Sequence, residues 1–74
     1  MNYPQYRKLS NNKVFYKIID AESFEELKLM GSKVFHFEMK AIQYPEKLKI
    51  IDMLNCEGYE PANEKEWEEL SAKL

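Results

Sequence analysis

Two side chains stand at a spacing that suits proton transfer. His36 and Glu38 lie two residues apart in the run Lys33-Val34-Phe35-His36-Phe37-Glu38-Met39-Lys40, and on an extended strand residues i and i+2 share a face. A carboxylate in that position can hold an imidazole and exchange a proton with it, the arrangement of a relay. No nucleophile or second base is recognisable beside the pair, so the ordinary account of His36 is a solvent-facing histidine. Cys56 is the single cysteine. The sequence places it at the end of a helix beside Glu57, and neither feature activates a thiol, so it reads as packed or idle. With one histidine, no C-x-x-C pair and only two glycines, neither a zinc site nor a phosphate-cradling loop is legible. The acid pairs Glu25-Glu26 and Glu68-Glu69 read as solvent faces of helices, because adjacent helical residues point about 100° apart. No catalytic residue, cofactor or metal is assigned, and the chain is not expected to be an enzyme.

Binding chemistry is better represented. The N-terminal stretch combines the rings of Tyr3, Tyr6, Phe15 and Tyr16 with the cations Arg7, Lys8, Lys13 and Lys17, the ingredients of a single-stranded nucleic-acid platform. The candidate binding residues are therefore Tyr6, Arg7, Lys8, Lys13, Tyr16, Lys17, His36 and Glu38. Charge is distributed unevenly along the chain. Residues 1–20 carry Arg7, Lys8, Lys13 and Lys17 against Asp20, a balance of +3, whereas residues 50–74 carry seven acids against Lys65 and Lys73, a balance of -5, and the whole is -2. A sequence pI near 5.4 weighs against a nucleic-acid binder. The stronger expectation is a non-catalytic accessory or protein-interaction module that binds another protein or a second copy of itself through an open strand edge or the face around Val34, His36 and Ile42. Nucleic-acid binding by the hairpin is the alternative.

These groups must be positioned by a small scaffold. Seventy-four residues, 45% hydrophobic and 14% aromatic, hold one domain with a thin core and exclude the large enzyme architectures. Apolar runs of two or three residues exclude a membrane-spanning helix. The first residues contain no apolar signal segment, and the lone cysteine suits a reducing compartment, so a cytoplasmic location is expected. Residues 1–5 read as a flexible tail and 6–74 as the domain.

The pattern predicts an α+β fold ordered β-β-α-β-α-(short β)-α, three helices packed on a small sheet. Asn11-Asn12 joins Tyr6–Leu9 to Val14–Ile19 as a hairpin, with Val14, Tyr16 and Ile18 on its core face. A helix is expected over Asp20–Gly31, capped by Asp20 or by Ser23 with Glu26, buried through Phe24, Leu27 and Met30, and ended by Gly31. Residues 33–44 form a half-buried strand with Phe35, Phe37, Met39 and Ala41 inward, and its direction relative to 14–19 is left open. Pro45 starts a second helix to Cys56, buried through Leu48, Ile50, Ile51 and Leu54 and stopped by Gly58. Residues 59–62 form an extended link. Asn63 with Glu66 caps a third helix whose stripe is Trp67, Leu70 and Leu74.

Overall fold

Apolar side chains on both faces of a strand require cover on both sides of its sheet, and here two helices supply it. In the computed structural model, which describes residues 2–74, the chain runs β1 (Gln5–Lys8), β2 (Val14–Asp20), β3 (Ser23–Met30), β4 (Lys33–Lys40), α1 (Tyr44–Leu54), β5 (Glu60–Ala62) and α2 (Glu64–Ser71). The five strands form one sheet in the order β4-β3-β2-β1-β5, with every pair antiparallel. The first four strands are a meander of consecutive hairpins, and β5 closes the far edge against β1.

The α+β class stands, but the expected element order and the three helices do not. The segment 20–31 is a strand and not a helix, which leaves two helices. Its capping residues serve a turn instead. Asp20 Oδ1 accepts from the Glu22 N–H at 2.7 Å and from the Ser23 hydroxyl at 3.0 Å, closing the β2–β3 connection. Gly31 has φ +63 as a helix-ending glycine would, yet it opens the two-residue turn Gly31-Ser32 between the paired residues Met30 and Lys33. With positive φ at the first turn position alone, this is the type II′ pattern. Phe24 and Leu27 are both fully buried, but on opposite sides of the sheet. Three residues apart on a strand they must be, and a sheet covered on both faces rewards that arrangement. Met30, the third residue of the expected stripe, is exposed.

On one face Val14, Tyr16, Ile18 and Phe24 pack with Ala41 and with Ile50 and Met53 of α1. On the other, Phe15 and Leu27 pack with Trp67 and Leu70 of α2. Each fully buried side chain, such as Ile18, Leu27 or Ile50, contributes roughly 1.5–3 kcal/mol. The inward face of α1 differs from the expected arc: Met53 is 0% exposed, while Leu48 and Ile51 face solvent. The reason is Lys49. Its ammonium lies 4.9 Å from the Tyr16 ring and 5.5 Å from that of Phe24, with Glu26 at 3.8 Å, so cation–π contacts and an ion pair seat a lysine toward the sheet. The helix turns with it, leaving Tyr44, Leu48 and Ile51 as an outward stripe.

The helix ends are specific. The α1 terminus is a Schellman motif whose left-handed residue is Cys56, φ +57, and not the expected Gly58. The Cys56 N–H donates to the Met53 carbonyl at 3.1 Å and the Glu57 N–H to that of Asp52 at 2.9 Å. Asn63 caps α2 as expected, accepting from the Glu66 N–H at 2.8 Å. Of the expected tail, Met1 lies outside the described residues, Tyr3 packs against the α1-side cluster and Gln5 opens β1. Among the described residues no helix is long and apolar enough to cross a membrane.

Candidate functional site: the uncovered edge strand

Strand β4 pairs with β3 along its whole length in an unbroken register, from Met30 with Lys33 to Ser23 with Lys40. Its other edge has no strand beside it among the described residues. A two-residue turn makes its flanking residues a hydrogen-bonded pair. By alternation, Lys33, Phe35, Phe37 and Met39 then turn their backbone groups toward β3, while Val34, His36 and Glu38 direct theirs outward. Strand β5, at the opposite edge, is three residues long and contains Pro61, the usual means of blunting an edge. Strand β4 has eight residues, no proline and no bulge.

Its two faces differ in chemistry. On the α1 side Phe35, Phe37 and Met39 are 42%, 47% and 38% exposed, because α1 sits over β1, β2 and Phe24 and does not reach β4. The expected core face of this strand is thus open. On the α2 side Val34 packs under α2, and beyond it lie His36 and Glu38. His36 Nε2 and Glu25 Oε1 of β3 are 2.6 Å apart. Glu38 is directly opposite Glu25 in the register, and one ligand atom from each of Glu25, His36 and Glu38 falls within 4.8 Å of the others. The expected pair thus becomes a triad in which Glu25, not Glu38, holds the imidazole. Its two carboxylates face each other, a destabilising cross-strand pairing that a cation near them relieves, and the three groups are of the kinds that ligate first-row metals. Sequence reasoning missed Glu25 because it placed that residue on a helix. The one local signal for a strand there is the Gly31-Ser32 pair, which suits a two-residue hairpin turn as well as a helix end.

The hairpin residues are brought together in a different role. Arg7 reaches across to the end of α1: its Nε donates to the Met53 carbonyl at 2.7 Å, and its Nη2 to the Leu54 carbonyl at 3.4 Å and to Gln5 Oε1 at 2.8 Å. A cation on carbonyls at the C-terminal end of a helix is favourable twice over, by hydrogen bonding and by the helix dipole. Lys8 pairs with Glu66 of α2 at 2.9 Å. Tyr6 stacks obliquely on Trp67, 6.2 Å between ring centres, and Tyr16 is core, edge-on to Tyr59 at 5.4 Å. Burial, with the Glu26 carboxylate next in weight, pushes the Tyr16 hydroxyl far above its ordinary range; burial, with Asp52 and Glu26 behind it, raises that of Tyr59. Lys13 is exposed in the β1–β2 turn, and Lys17 lies opposite Glu25 on the α2 side. Compared with known proteins, the chain matches no family model, no curated protein and no solved structure.

Proposed function

We propose that this protein is a small non-catalytic interaction module that binds another polypeptide along β4. The observation that carries this reading is the coincidence on one strand of an eight-residue edge without proline or bulge and an exposed apolar face of Phe35, Phe37 and Met39. Main-chain groups at an open edge give affinity to an added strand, and alternate side chains give it specificity. Long edges beside an exposed apolar face are otherwise avoided as aggregation sites, so an occupant accounts for what a solitary molecule would not. The hairpin gives the nucleic-acid reading less support, since Tyr6, Arg7, Lys8 and Tyr16 are held in contacts within the fold.

The test is a comparative capture. Tagged wild-type protein and the Phe35→Lys and Phe37→Lys variants are exposed to the same cell extract, with an α2-face control, Lys13→Glu combined with Lys17→Glu. Both residues on the strand are exposed, so the variants are expected to keep the wild-type circular dichroism and melting temperature. Loss of bound polypeptides in the β4 variants alone supports the reading. Equal recovery by all forms removes it.

A further inference from the structure

We propose that the occupant of the β4 edge is the β4 strand of a second copy of this chain, running antiparallel and centred on Phe37, so that two sheets become one. This inference rests on the reading of β4 as the binding surface and adds the identity of the partner.

One register sets the apolar residues of the strand against one another and its central acid against its histidine. A two-fold axis through residue 37 sets residue n against residue 74 minus n of the other copy. Phe35 then faces the partner's Met39, Phe37 faces its own equivalent, and His36 faces the partner's Glu38. Phe35, Phe37 and Met39 each meet another apolar side chain and Glu38 meets an imidazole, while farther from the axis Val34 faces the partner's Lys40. Neighbouring symmetric registers lack this property. Centred on residue 36, the strand sets His36 against itself, Glu38 against Val34 and Met39 against Lys33. Centred on residue 38, it sets Glu38 against Glu38, and directly opposed like charges are destabilising.

Backbone geometry accommodates this register. His36 and Glu38 already direct their N–H and C=O groups outward, so the His36–Glu38 pairs at the centre each exchange two main-chain hydrogen bonds. Phe37 with its equivalent becomes the close, non-hydrogen-bonded kind of pair, about 4.5 Å between Cα atoms, where side chains interact most strongly. An axis perpendicular to the sheet also keeps like faces together, so the two Phe35-Phe37-Met39 surfaces merge. Assembly stops at two, because the edges that remain are the three-residue β5 strands with Pro61.

Analytical ultracentrifugation of the full chain over a wide concentration range, followed by crosslinking, tests the proposal. The wild type is expected to show a reversible monomer–dimer equilibrium. Phe37→Lys, which places two lysines against each other on the axis, weakens it by about tenfold or more with the melting profile of the dilute monomer unchanged. Register is read separately, in a Cys56→Ser background. Phe37→Cys sets two thiols within disulfide reach and forms a covalent dimer on mild oxidation. Phe35→Cys does not, since the two copies of residue 35 stand four residues apart along the paired strands, about 13 Å. A wild type that stays monomeric at every concentration overturns the proposal, as does Phe35→Cys crosslinking as readily as Phe37→Cys. Monomeric protein whose β4 variants still lose captured polypeptides would remove the second copy as partner while sparing the interaction module.

Discussion

The two halves of the sheet carry similar alternation and have opposite fates. In β2 the apolar residues Val14, Tyr16 and Ile18 are buried under α1, and Phe15 between them is buried under α2. In β4 the equally regular Phe35, Phe37 and Met39 remain exposed. Alternation specifies a face, and burial of that face depends on whether an element reaches it. Here α1 is held over β1 and β2 by Arg7 on its last carbonyls and by Lys49 over two aromatic rings. The anchoring that completes one half of the molecule leaves the other half open.

Substitution of paired residues tests that contrast most strongly. Phe24 and Met39 are cross-strand partners on one face, yet Phe24 is 1% exposed and belongs to the covered half. Phe24→Ala is expected to cost about 3–5 kcal/mol and Phe37→Ala no more than about 0.5 kcal/mol in the dilute monomer, both read by urea denaturation. Similar losses for the two would erase the distinction between the halves. Next in size is Arg7→Met, which leaves the Met53 and Leu54 carbonyls without their cationic donor and should lower stability by about 1.5–3 kcal/mol. A change below about 0.5 kcal/mol would mean that α1 is held in place by packing alone.

Alkaline titration sharpens the comparison further. Tyr16 and Tyr59, both in the covered half, have hydroxyls raised by burial, and Tyr6 under α2 is raised by burial and by Glu64. The folded state therefore retains protons that the unfolded chain gives up near pH 10. Stability is full below that pH and falls as pH rises beyond it, and Tyr16→Phe should make the fall shallower. An unchanged slope in that variant would take Tyr16 out of the account. A small gain is expected at Cys56, whose φ of +57 is strained for any residue with a Cβ. Cys56→Gly should raise stability by about 0.5–1 kcal/mol in thermal melts.

Much of this scaffold is legible in the residues. Asn12 adopts the positive φ that the Asn11-Asn12 turn calls for, Pro45 sits in the first turn of α1, and Asn63 with Glu66 caps the helix that Trp67 anchors. The failure at 20–31 has a physical cause. Glu, Leu and Lys favour a helix locally, Phe24, Leu27 and Met30 fit its period, and Gly31 suits a helix end as well as a hairpin turn. What decides for a strand is non-local: β2 on one side, β4 on the other and a helix on each face. The site inherits that error. His36 and Glu38 are visible as a pair at period two, but Glu25 joins them only once β3 is a strand. The exposure of Phe35 and Phe37 follows from where α1 stops, which no local pattern encodes.

Hydrogen exchange of the β4 backbone amides tests the central claim most directly, because it reads the open edge itself. If β4 is an occupied edge, the outward amides of Val34, His36 and Glu38 become protected as wild-type concentration rises and exchange rapidly in Phe37→Lys at the same concentration. The inward amides at positions 35 and 37 stay protected in both. Fast exchange of the three outward amides at every concentration, with or without added partner protein, would contradict the account.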